Sequence, residues 1–258
     1  MHGNISFALL ILALITCAPG SYGQGRAADR SPDGKDWTGY YMLARGRDAE
    51  GLNIISPNLP KTVADHLQPW AKLKMDSTNG IADDTGAVCL PSGILRGPGM
   101  PYSFNFLWLG HGDKIVMAFF QNASTRVRHI YLNRDHPRNL LPTWNGDSIG
   151  HWEGSTLVVD TIGFNDKSWL SADMAPHTEE THLTERMRQI EHNGNTYIEV
   201  VGKVEDRHAL ASAYMYSRYF KKQVREMPIA ICADDIKMWK DWRNDELRLI
   251  NERAREVK

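Results

Sequence analysis

The apolar and polar positions of this chain fall mostly into a period of two. From Tyr102 onward, short runs that alternate hydrophobic with polar residues are separated by Gly-, Asn- and Pro-containing turns. Ser103–Leu109 and Ile115–Gln121 flank Gly110-His-Gly-Asp-Lys, a hairpin loop of the Gly-containing kind. Arg126–Leu132 follows, then a loop through His136, Pro137 and Pro142, then Ser148–Glu153 turning at Gly154-Ser155 into Thr156–Phe164. Thr181–Glu191 and Thr196–Glu205 flank His192-Asn-Gly-Asn, where Asn-Gly is the strongest short hairpin signal. Tyr214–Val224 supplies a further strand, and Trp37–Leu43 an earlier one.

Two stretches carry a helical period instead. Val63–Met75 offers Leu67, Trp70, Ala71 and Leu73 on one side. Near the end, Asp234 or Asp235 caps a helix running to about Arg253, anchored by Ile236, Trp239, Trp242, Leu249 and Ile250. Roughly seven to nine strands in hairpin order favour an antiparallel meander that removes its edges by closing. The expectation is a mainly β protein, an antiparallel up-and-down, lipocalin-like barrel with a short N-terminal helix and a C-terminal helix. Such a barrel is filled by side chains or holds one small ligand.

The first 23 residues stand apart. Phe7–Ile15 is an apolar run too short to cross a bilayer, and small residues at Ser21 and Gly23 suit cleavage before Gln24, so 1–23 reads as a secretory signal peptide. Lipidation at Cys17 is the less favoured alternative, because Thr16 is a poor residue to precede it. Residues 24–36 read as a mobile leader and 37–258 as a single domain. The expected location is periplasmic or secreted, with no transmembrane segment. Export leaves Cys89 and Cys232, which suit one disulfide worth about 4–5 kcal/mol in the chain-entropy model. Two unpaired buried thiols are the other reading.

Composition narrows the functions. Hydrophobic residues make up 42% and charged residues 24%, and the formal net charge is −1, so no nucleic-acid partner is expected. Eight Trp and nine Tyr suit an aromatic-lined pocket as well as a core. The chain has no Gly-rich phosphate loop, no dinucleotide fingerprint and no Gly-x-Ser-x-Gly elbow, so no cofactor is expected.

Titratable residues crowd between Pro142 and Arg188. On Thr156–Phe164, Asp160 shares a strand face with Val158 and Ile162. An acid between apolar neighbours is either hydrogen-bonded or shifted in pKa. His129 and Tyr131 share a face on Arg126–Leu132, which suits a base and a hydrogen-bond donor if that face lines the barrel. Along His182–Arg188 each face mixes an ionisable with an apolar residue, so the pattern does not decide which is inside. His177-Thr-Glu-Glu180-Thr-His182 is the densest ionisable run. Its spacing matches no helical zinc motif, and a strand sends His177 and His182 to opposite faces, so no metal is expected.

Gly150-His-Trp-Glu-Gly-Ser-Thr-Leu-Val-Val-Asp-Thr-Ile-Gly-Phe-Asn165, followed by His177-Thr-Glu-Glu-Thr-His182 and Glu185-Arg186, resembles the hallmark of a family of secreted bacterial proteins. The resemblance extends to Asp36-Trp-Thr-Gly39, Cys89-Leu-Pro-Ser-Gly93 and Arg128-His-Ile-Tyr-Leu132 with His136-Pro137. Members often carry Arg where His151 stands and His where Asp147 stands. The resemblance implies export; it brings no reaction with it.

The expected function is an exported, cofactor-independent lyase or isomerase acting on a hydrophobic, aromatic small molecule such as a lignin-derived dimer. Its candidates are His129, Tyr131, Asp160, His177, Glu180 and His182, with Arg186 as anion partner and Trp108, Trp144 and Trp152 as stacking walls. The alternative is a non-catalytic carrier that holds an apolar ligand inside the barrel.

Overall fold

The computed structural model describes residues 31–52, 63–80, 83–88, 90–96, 103–109, 114–121 and 124–224. The expected signal peptide, Cys17, Cys89, Cys232 and the expected C-terminal helix lie outside these residues. The protein is mainly β. Nine strands are described: β1 (Gly39–Leu43), β2 (Ser103–Leu109), β3 (Lys114–Gln121), β4 (Ser124–Tyr131), β5 (Asp147–Glu153), β6 (Thr156–Ile162), β7 (His182–His192), β8 (Asn195–Glu205) and β9 (Tyr214–Lys222). Each pairs with the next in sequence, and β9 pairs back onto β1, so the sheet closes on itself.

The strand ends follow local chemistry. At the β7–β8 hairpin, Asn193 and Gly194 both take positive φ, 48° and 71°, as a two-residue turn matched to strand twist demands. β6 stops short of Phe164 because Gly163 turns the chain at φ 73°. The helical period at Val63–Met75 is interrupted: Val63 and Ala64 are helical, the chain turns over 65–68, and a helix, here α1, then runs from Pro69 to Ser77. Gln68 precedes a proline and stays extended at ψ 154°, while Pro69 suits a first helical position, which lacks a hydrogen-bond partner for its N–H anyway.

One pair departs from the expected antiparallel order. β4 and β5 run parallel, joined through Ile130–Ser148 and Tyr131–Ile149. Parity requires such a pair: an odd number of strands cannot alternate direction all the way round a ring. A parallel pair also needs a crossover of a dozen or more residues, and residues 132–146 provide fifteen. Near its end the crossover meets the chain just past β6, where Thr143 bridges Phe164 in parallel.

Among the described residues, the inward side chains pack against one another. Tyr41, Ile115, Met117, Ile130, Leu157, Val159, Leu183, Met187, Ile198, Val200, Tyr216 and Phe220 belong to one buried cluster, joined by Trp37 and by Ala71 of α1. Each aliphatic side chain so buried contributes about 1.5–3 kcal/mol against exposure. Among them sits a polar group of charged and hydroxyl side chains. Arg128, 2% exposed, donates from Nε to Ser148 Oγ at 3.0 Å and from Nη2 to Thr161 Oγ1 at 2.9 Å. The same guanidinium lies 2.6 Å from the Glu185 carboxylate, whose other oxygen accepts from Tyr216 Oη at 3.3 Å. Burial raises the Tyr216 hydroxyl well above its ordinary pKa and keeps it a donor.

Candidate functional site

The ambiguous faces of the central strands now resolve. Leu157, Val159 and Thr161 of β6 and Leu183, Glu185 and Met187 of β7 are buried. Asp160, His182, Thr184 and Arg186 therefore lie on the outer face, as Asp160 registers with Thr184. His129 is exposed, and with Tyr131 it faces outward beside buried Arg128 and Ile130. The face left open by the sequence is thus the outer one for these groups: the inward positions go to the apolar residues and to the Arg128–Glu185 pair.

The crossover supplies what the strands lack. It lays His136 over the outer wall between two strands. There His136 Nδ1 meets Asp147 of β5 at 2.7 Å and Nε2 meets Asp160 of β6 at 2.9 Å. The second Asp160 oxygen is in close contact with His182 Nε2, and Arg134 donates to the second Asp147 oxygen. The result is a continuous chain, Arg134–Asp147–His136–Asp160–His182. Burial raises the Asp160 pKa, but the hydrogen bonds from His182 and then His136 outweigh it and hold the net value below normal. Side-chain exposures of 16% for His136 and 34% for Asp160 put the chain within reach of solvent.

Asp147 belongs also to a cleft of about 360 Å³. Its walls come from β4 (Val127–His129 and Tyr131), from Thr143–Ser148 and from Pro91. The cleft opens at the β4–β5 seam, where the short parallel pairing lets the two segments part. His129 and Tyr131 stand edge to face with centroids 6.1 Å apart. Arg134 stacks on the Tyr131 ring at 3.8 Å, and the Lys114 ammonium lies 5.3 Å from its centroid. Partial burial, and then the charge of Lys114, lower the His129 pKa. A lowered imidazole is neutral at neutral pH and ready to accept a proton.

The structure thus places His129, Tyr131 and Trp144 in one cleft, and Asp160 and His182 on the chain that reaches it through Asp147. The other candidates sit apart. His177 is 3% exposed; its Nε2 accepts from Ser168 Oγ at 2.8 Å while Nδ1 donates to Thr178 O at 3.1 Å, and burial lowers its pKa. That ring braces the loop before β7 and has no opening to a ligand. Glu180 is exposed and paired with Arg207 and His208. Arg186 donates to Glu153 at 2.7 Å on the outer wall, away from the cleft lining. Trp152 packs edge-on against Trp37, centroids 5.2 Å apart, so it serves the core. Trp108 registers opposite Ile115 in β2, and its side chain lies outside the described set.

Sequence reasoning gave Arg128, His136 and Asp147 only as marks of the family resemblance, with no site role, and passed over Arg134. The available signal was the loop itself: a connection of fifteen residues is too long for a hairpin and carries a His beside a Pro. Among the described residues no group of three or more His, Cys, Asp or Glu is arranged to hold a metal ion. No helix among them is long and apolar enough to cross a membrane. Compared with protein-family models and with curated proteins, the chain matches none.

Proposed function

We propose that the protein is an exported acid/base enzyme, a lyase or isomerase, that acts on a small aromatic molecule held in the cleft at the β4–β5 seam. The observation that supports this most is the hydrogen-bonded chain ending on the cleft wall. His129 takes a proton from the ligand, and Tyr131 offers a hydroxyl to a developing negative oxygen. Asp147, His136, Asp160 and His182 form a route between cleft and solvent. An imidazole bonded at both nitrogens can take a proton on one and release it from the other. Trp144, Tyr131 and Val127 give an apolar, stacking surface suited to an aromatic ring, with lignin-derived dimers as one class to try. Export rests on the N-terminal sequence pattern.

The closed sheet also supports a lipocalin-like relationship, and with it a carrier. A lipocalin-like carrier holds its ligand inside the barrel, however, and here the described inward side chains pack against one another. The enzyme reading is therefore preferred. Its test is turnover and affinity on a panel of aromatic compounds for the wild type and His129→Gln. A fall in kcat of about 10²–10⁴-fold with affinity kept supports it. Tight binding without turnover by the wild type would leave the carrier in its place.

A further inference from the structure

The cleft has an unusual floor. Arg128 points into the barrel and is almost wholly buried, yet it lines the same cleft as the outward-facing His129 and Tyr131. Buried Ser148, which accepts from Arg128 Nε, lines the cleft as well, so at the seam the lining draws on residues of both faces of the wall. Three contacts occupy part of the guanidinium: Nε to Ser148, and Nη2 to Thr161 and Glu185. Nη1 has no acceptor among the described residues. Two N–H donors of a fixed, always charged fork are thus left without an acceptor, on a residue that lines the cleft.

We infer that Arg128 Nη1 anchors an anionic oxygen of the ligand, so that the cleft selects aromatic carboxylates over neutral aromatics. This rests on the placement of the ligand in the cleft proposed above, and adds to it the substrate class. Glu185 already offsets the guanidinium charge, which explains how Arg128 stays buried before a ligand arrives. The donors that remain belong to a side chain only 2% exposed, where a charge-assisted hydrogen bond is stronger than in water. The one acid on the cleft wall does not compete for the role or repel strongly, because Arg134 and His136 occupy both Asp147 oxygens. At the outer rim the Lys114 ammonium has no carboxylate partner among the described residues, which adds to the positive field. A carboxylate at Arg128 leaves the attached ring to run outward between Tyr131 and Trp144, with His129 beside it.

Calorimetric titration of the full chain with benzoate, benzamide and benzyl alcohol tests this without reading turnover. Benzoate is expected to bind at least about tenfold tighter than its neutral isostere benzamide, an advantage of about 1.4 kcal/mol. Removing Arg128 alone would strand Glu185, so the informative variant is Arg128→Met with Glu185→Gln, its fold checked by circular dichroism. In that variant the preference should fall within twofold. Benzamide binding as well as benzoate to the wild type, or a preference that survives the double substitution, would overturn the assignment. An enzyme that turns over neutral aromatics without favouring benzoate keeps the acid/base reading and loses this one. A benzoate preference in a protein without turnover does the reverse.

Discussion

Asp160 sits between Val158 and Ile162 on one strand face, and in sequence that flanking suggests an acid sunk in the core. What decides its environment is a residue 24 positions earlier, His136, delivered by a loop. The alternation of β6 was legible; the partner was not, because nothing in a strand pattern says where a loop comes down. A lowered Asp160 pKa stabilises the fold above the unfolded carboxylate value of about 3.9, and that contribution is lost as pH falls through the lowered folded value. Asp160→Asn keeps the shape and removes the charge. It should cost on the order of 1 kcal/mol at neutral pH, discounted for solvent exposure, and flatten the dependence of urea midpoint on pH below about 4. In the same variant the activity, measured as kcat/KM, should fall about 10²-fold or more as the proton route is cut.

The two imidazoles with lowered values act on different observables. His177 is lowered by burial, so its contribution to stability is whole above the unfolded value of about 6.5 and declines as pH drops below it. Chemical denaturation at pH 7.5 and 5.5 should show that loss, and His177→Asn should remove most of the difference. His129 is lowered by its partial burial and by Lys114, so the acid limb of kcat/KM belongs below about 6.5. Replacing Lys114 with Met should move that limb upward, with little change in the denaturation midpoint.

At the scale of elements, the hairpins were the readable part. Asn193-Gly194 and Gly154-Ser155 announce their turns, and alternating β-branched residues announce the strands on either side. The break inside Val63–Met75 was missed because apolar spacing outweighed Pro69, which bars its predecessor from helical geometry. The crossover is the element that pattern reading could not supply. It has no period, and its path is set by the strand it must reach. Gly146 completes that path at φ 64°, where a Cβ would stand 2.6 Å from the carbonyl oxygen of Ile162. Gly146→Ala should therefore cost roughly 1–3 kcal/mol in urea unfolding. It should also weaken binding in the cleft, since Asn145 and Asp147 flank the strained residue.

For the whole molecule, closure was inferable from hairpin order, whereas the direction of one pair depended on counting strands to the exact number. An estimate of roughly seven to nine leaves parity open, and parity decides whether a seam exists. The content of the interior was equally hidden, because Arg128, Glu185 and Tyr216 read as solvent-facing or indifferent positions until their partners are known. The seam should also be the least protected part of the wall. Hydrogen exchange is expected to be faster at Ser148 and Ile149 than in the long β7–β8 ladder, and slower again when a ligand fills the cleft.

A closed wall carries load around its circumference as a hoop does, and a hoop is as strong as its thinnest joint. Ile130–Ser148 and Tyr131–Ile149 are the rungs at that joint, with Arg128 bound to Ser148 just inside it. A molecule seated between Arg128 and Trp144 would act as a rivet across the joint. Occupancy would then be felt as stiffness at the opposite side of the ring, at β1 and β9, with no contact made there.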